Sequence, residues 1–206
     1  MIVRLIRLSF LTVLVCLLTW GGAYSSEVRA QQTSSIDFDK PIVLVHGIGG
    51  AGYNFYSIER KLRSIGYDRS DLHAIDFADR SGNNYRNSRQ LRDFINEVLT
   101  NYDVDEVNII AHSMGGANTL RYLTQLGGVE HVDKVITLGG ANRLGASSVP
   151  DGVDFTSIYS SSDLIVANSL SRIDGANNIH VPGVTHLLLL TNNRVQDLIV
   201  EALEKE

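Results

Sequence analysis

The sequence predicts an α/β fold, a mostly parallel central sheet with helices on both faces, and three observations carry that prediction. From Lys40 onward, short apolar runs alternate with amphipathic stretches, as strands do when the helices between them bury both sides of the sheet. The composition is globular: 44% hydrophobic and 20% charged residues, with 18 Gly and only 3 Pro, exclude disorder, collagen and low complexity. No repeat, linker or second composition block follows residue 30, so residues 31–206 are expected to form one domain around one core.

The elements follow in order. Residues 41–45 read as a buried strand, and the glycine-rich stretch after them as a turn. Ile58, Leu62 and Ile65 mark one face of a helix that Gly66 can end. Residues 72–77 are the next strand, and Leu91, Phe94, Ile95, Val98 and Leu99 mark a second helix. Residues 107–111 form a strand, 117–126 a helix stopped by Gly127 and Gly128, and 132–138 a further strand. Residues 155–159 and 178–181 give two more strands, and 193–203 a closing helix. The stretches 80–89 and 141–152 are the polar loops.

Residues 1–30 stand apart. Arg4 and Arg7 precede an uncharged run from residue 8 to 26, and small and polar residues follow, the layout of a secretory signal peptide. Cleavage after Ser25 or after Ala30 satisfies the small-residue rule, and the expected location is extracellular. A retained membrane anchor is the alternative, because the uncharged run is near the lower limit for spanning a bilayer. The only cysteine, Cys16, lies in the apolar run behind Val15, so the mature chain would have no thiol, no disulfide and no cysteine-held zinc. Its 176 residues suffice to bury a core without such staples. Eighteen basic against 23 acidic residues leave a net charge of −5; loss of Arg4, Arg7, Arg29 and Glu27 makes it −7. Nucleic acid is therefore not an expected partner.

The chemistry concentrates in Ala111-His112-Ser113-Met114-Gly115-Gly116, between a predicted strand and a predicted helix. A nucleophilic serine on a tight strand-to-helix turn needs small residues two positions to either side, and Ala111 and Gly115 supply them. A chance strand end with a capping serine is the plain alternative. Against it, the carboxyl end of a strand in an open parallel sheet is where such folds place their sites.

A catalytic serine needs a base, and the base an orienting carboxylate, expected in the order Ser, Asp or Glu, His. Three histidines follow Ser113. His131 precedes a strand, at the opposite edge, and reads as a surface residue; His180 lies inside a strand and suits a partly buried structural role. His186 follows the last strand through a Pro-Gly loop, on the same edge as Ser113, and is the expected base. Residues 187–190, all Leu, would pack that loop down. Asp163 follows residues 155–159 through three serines and is the expected carboxylate. Asp151 and Asp154 sit at the wrong edge, Asp174 resembles a turn residue, and Asp163 itself could also serve as a helix cap.

The oxyanion donors would be the N–H of Met114, after the nucleophile, and that of Ile48 in His46-Gly47-Ile48-Gly49-Gly50. The same glycines fail as a phosphate loop, since neither Gly-Lys-Ser/Thr nor the dinucleotide-binding spacing follows.

These stretches, together with residues 137–144 and 156–161, resemble the small lidless bacterial lipases typified by Bacillus lipase A, within the α/β-hydrolase superfamily. The similarity runs from about Pro41 to the closing helix, and Ala111 in place of the usual glycine is a mark of that group. The resemblance implies a minimal α/β-hydrolase fold without a lid domain, a triad of Ser113, Asp163 and His186, oxyanion donors Ile48 and Met114, and no metal or other cofactor. It also implies an acyl groove lined by Tyr53, Leu144, Leu164, Ile165, Leu170 and Leu187, residues equally suited to an ordinary core. The connection over residues 146–153 is several residues shorter than in lipase A, and the acidic charge contrasts with that basic relative.

The expected protein is a secreted, monomeric carboxylic-ester hydrolase, a triacylglycerol lipase or esterase with lipid or ester substrates and transient contact with lipid interfaces. Another acyl-transfer hydrolase, such as a thioesterase or transacylase, and a non-catalytic binding protein of the same fold remain the alternatives.

Overall fold

Six strands, β1 (Ile42–Val45), β2 (Leu72–Ala74), β3 (Val107–His112), β4 (Val132–Leu138), β5 (Asp154–Tyr159) and β6 (Asn177–His180), pair in parallel throughout, in the order β2-β1-β3-β4-β5-β6. The computed structural model describes residues 36–204, and the expected signal segment lies outside them. Among the described residues, five helices accompany the sheet: α1 (Tyr56–Ile65), α2 (Asn84–Tyr102), α3 (Met114–Gln125), the short α4 (Asn168–Ser171) and α5 (Asn193–Leu203).

The period of two along each strand distributes the apolar side chains between two cores. Ile42 and Leu44 of β1 join Ile58 and Leu62 of α1 and Leu198 and Ile199 of α5 on one face. Val43 and Val45 join Leu91 and Ile95 of α2 and Leu120 and Leu123 of α3 on the other. A strand buried on both sides reads as a near-continuous apolar run, which is why IVLV and VNIIA, the latter interrupted only by Asn108, were legible as strands.

Three boundaries differ from the sequence reading by more than one residue. The helix α2 begins at Asn84, inside the stretch predicted to be loop: Asn83 caps it by accepting the Arg86 N–H at 3.0 Å, and the buried residues of its first turns are Asn87 and Ser88. Polar residues on the buried side leave no apolar period to detect. The strand β2 stops at Ala74, although the Ile75 N–H still donates to Leu44 O at 3.1 Å and Ile75 and Phe77 stay in the core. The helix α3 starts directly after Ser113 rather than at Ala117.

Strand order decides where a site can form. The chain leaves β1 toward β2 on one side and returns to pair β3 on the other, so the loops after β1 and β3 diverge and open a crevice at the carboxyl edge. Gly47 and Ser113 follow those two strands.

Candidate active site

Ser113 sits between β3 and α3 with φ 57° and ψ −127°, one of two non-glycine residues at positive φ among the described residues. That backbone costs energy for an L-residue and is held by its surroundings. The Ser113 N–H donates to Leu138 O at 3.1 Å, while its carbonyl accepts from Gly116 N at 3.1 Å and Ala141 N at 2.9 Å. Two close approaches need glycine. A Cβ on Gly115 would lie 2.4 Å from Val45 O, and a Cβ on Gly47 would lie 2.6 Å from the Ser113 Cβ. The loop after β1 therefore runs directly against the serine.

His46 fixes that loop. The Phe77 N–H donates to its Nε2 at 3.1 Å, and its Nδ1 donates to Gly47 O at 2.7 Å, so the buried ring is the Nδ1–H tautomer. The Gly49 N–H donates to Arg80 O at 2.8 Å, tying the same loop to the segment before α2.

Asp163 follows β5 and His186 follows β6, both at the carboxyl edge, and the structure joins them: His186 Nδ1 lies 2.6 Å from Asp163 Oδ2, with both side chains buried. The other carboxylate oxygen accepts from Ile165 N and Val166 N, each at 2.9 Å. Asp163 thus caps a turn and holds the imidazole at once, although residues 164–166 form bends rather than the helix a cap suggested. A carboxylate on Nδ1 fixes the proton there and leaves Nε2 as the basic nitrogen.

Ser113 and His186 line one cavity of about 370 Å³ with Gly47, Ile48, Asn54, Ile165, Leu187 and Leu190. Among the described residues, neither the Ile48 nor the Met114 N–H donates to a protein acceptor. An adjoining apolar pocket of about 230 Å³ shares Ile165, His186 and Leu187 and adds Leu164. Of the six residues expected at a groove, Ile165, Leu187 and Leu164 line these two cavities and three do not. Leu170 packs with Met114 against Ala117, Ala141 and Val166, whereas Tyr53 and Leu144, 75% and 54% exposed, line neither pocket. Their spacing gave no information on direction, because short irregular segments carry no period. A larger opening of about 410 Å³ near Arg143, Arg172 and Asp174 holds none of the Ser113, Asp163 and His186 group.

The remaining histidines also find places. His131 is half-buried, its Nδ1 3.3 Å from Asp105 O, away from the site. His180, expected to be partly buried, is exposed at the end of β6, where its Nε2 accepts the Ser161 N–H at 3.2 Å and steadies the loop to Asp163. Asp174, read as a turn residue, pairs with Arg143 at 2.9 Å.

Sequence reasoning missed three contributors: Asn54 and His112, which line the cavity, and Ser160 behind it. The Ser160 hydroxyl oxygen accepts from Ser162 N at 3.1 Å and Val184 N at 3.3 Å, so one buried atom joins the Asp163 loop to the His186 loop. Its place in a triple serine gives no sign of this. His112 is buried with its ring centroid 4.5 Å from that of His186, and burial, then the neighbouring His186, lowers its pKa to about 4. Among the described residues, no group of three or more His, Cys, Asp or Glu side chains could hold a metal ion, and no helix is long and apolar enough to cross a membrane.

A strained serine after a central strand, an Asp–His pair after two later strands and a glycine loop facing the serine define the class of protein. The model of the alpha/beta hydrolase fold family matches residues 40–163, more than half of the chain, and the chain belongs to that family. Solved structures of similar fold include a mature lipase from Bacillus licheniformis, 16% identical over 80% of this chain and 91% of that one, with a TM-score of 0.66. Lipase B of Aspergillus fumigatus is 20% identical over 84% of this chain and 55% of its own, with a TM-score of 0.67. A carboxylesterase structure from Nitrososphaera gargenis is 15% identical over 79% and 89%, with a TM-score of 0.59. At such identities the likeness is one of fold.

Proposed function

We propose that the protein is a secreted carboxylic-ester hydrolase of the small lidless bacterial lipase type, acting on triacylglycerols or simpler esters through Ser113, His186 and Asp163. One observation carries this reading: the buried Asp163–His186 bond of 2.6 Å ends at a cavity whose wall includes Ser113 on its strained turn. Ser113 Oγ attacks the ester carbonyl as His186 Nε2 takes its proton, and the N–H groups of Ile48 and Met114 hold the oxyanion. His186 passes the proton to the leaving alcohol, Asp163 holds the imidazole throughout, and water repeats the cycle on the acyl-enzyme.

The rim supports an ester with an apolar tail. Ile48, Leu164, Ile165 and Leu187 are all more than half exposed around the opening, Leu164 at 95%, an apolar surface suited to transient contact with a lipid interface. The layout of residues 1–30 supports secretion.

The test is hydrolysis of p-nitrophenyl esters from acetyl to palmitoyl by the protein and by Ser113→Ala. The expected result is a fall of about 10⁶-fold in kcat with the fold intact, in line with other triad knockouts. A rate peaking at medium or long chains establishes a lipase, and activity confined to acetyl an esterase. A rate indifferent to Ser113 removes the assignment and leaves the acyl-transfer and binding alternatives.

A further inference from the structure

We propose that His112 is a positioning residue for the general base: its Nε2–H holds the main-chain carbonyl of His186 and so keeps the imidazole in register with Ser113. The inference rests on the hydrolytic reading above and deepens it. His112 Nε2 lies 3.1 Å from His186 O, and a carbonyl oxygen only accepts, so Nε2 carries the proton. The ring is buried and tilted 39° to the His186 ring, and both residues line the cavity. The titratable groups acting on it are His186 and Asp163. Burial and His186 keep it uncharged down to about pH 4.

The chain order gives this bond its leverage. His112 ends β3 and Ser113 is the next residue, whereas His186 arrives 74 positions from His112 on the loop after β6. The Asp163 carboxylate fixes the ring of His186, and Ser160 fixes its loop at Val184; the bond from His112 fixes His186 itself to the strand end that carries the nucleophile. A proton passing from Ser113 to His186 creates an imidazolium beside this ring. An uncharged neighbour adds no repulsion to it, and a charged one would.

The test compares His112→Phe, which fills the volume without a donor, with His112→Gln, whose amide N–H reaches a similar place. On a p-nitrophenyl ester the Phe variant is expected to lose about 10- to 100-fold in kcat with KM within about twofold, since misplacing a catalytic group affects the chemical step rather than binding. The Gln variant is expected to recover most of that loss. Full kcat in the Phe variant, or equal losses in both with unchanged melting midpoints, overturns the proposal. Nitrogen NMR of the unmodified protein is a second test needing neither variant to fold: an Nε2–H tautomer with a slowly exchanging proton is expected, and an Nδ1–H tautomer overturns the proposal. Absence of any Ser113-dependent rate in the unmodified protein would instead overturn the hydrolytic reading, leaving the hydrogen bond to be judged by the NMR result.

Discussion

Ser160 shows how a single atom can hold two loops of the candidate site. Its oxygen accepts one backbone N–H from the loop leading to Asp163 and one from the loop leading to His186, and no exposure is left for water to replace it. Ser160→Ala is expected to cost about 1–3 kcal/mol, because two buried donors lose their acceptor. Urea denaturation measures the loss, and a change below about 0.5 kcal/mol would show that the loops hold without it. Asp163→Asn tests a different function. The amide keeps an oxygen for Ile165 and Val166 but places the wrong polarity against Nδ1, so kcat is expected to fall by about 10⁴ while stability changes little. At this scale the placement of Ser113, Asp163 and His186 at one sheet edge was legible from chain order, since each follows a strand. Ser160 and His112 were not, because Val184 and His186, which they hold, lie 24 and 74 positions away.

Between elements, the tightest demand falls where α3 leaves the sheet. Gly115 lets the first turn of α3 press on the end of β1, and even one methyl would sit 2.4 Å from the Val45 carbonyl. Gly115→Ala is expected to push helix and strand apart, displacing Ser113 from Gly47 and lowering both stability and kcat; an unchanged melting midpoint would show that the helix can shift freely. The glycine was singled out in the sequence for this reason. The start of α2 shows the converse. Its first turns bury Asn87 and Ser88, whose side chains meet Asp79 O at 3.1 Å and Tyr85 O at 3.4 Å rather than an apolar surface. A helix end held by polar contacts has no apolar period, so only tertiary packing reveals it.

For the molecule as a whole, acid is the condition that should separate the folded from the unfolded chain. His112 titrates near 6.5 when unfolded and near 4 when folded, so in between the unfolded chain binds a proton that the folded chain refuses. Its contribution is fully present above about pH 6.5 and is lost as pH falls through about 4, on the order of 3 kcal/mol for this one ring. His73, lowered by burial and then raised in part by Asp71, acts in the same direction. Urea midpoints at pH 7 and pH 4.5 should therefore differ less in His112→Gln than in the unmodified protein. Equal differences would show that the ring is not a source of acid sensitivity.

The amino-acid sequence by itself determined the layering of this protein: which runs are strands, which faces of the helices are apolar, and which edge of the sheet carries Ser113, Asp163 and His186. These follow from periods of two and 3.6 and from the rule that parallel strands share a carboxyl edge, all properties of local chain geometry. Only the tertiary structure decided which residues wall the cavity, that Leu170 packs with Met114 against Ala117, Ala141 and Val166, and that His112 and Ser160 hydrogen-bond the segment around His186. Those facts depend on side-chain direction in irregular loops and on contacts between distant segments. Hydrophobic pattern is insensitive to both.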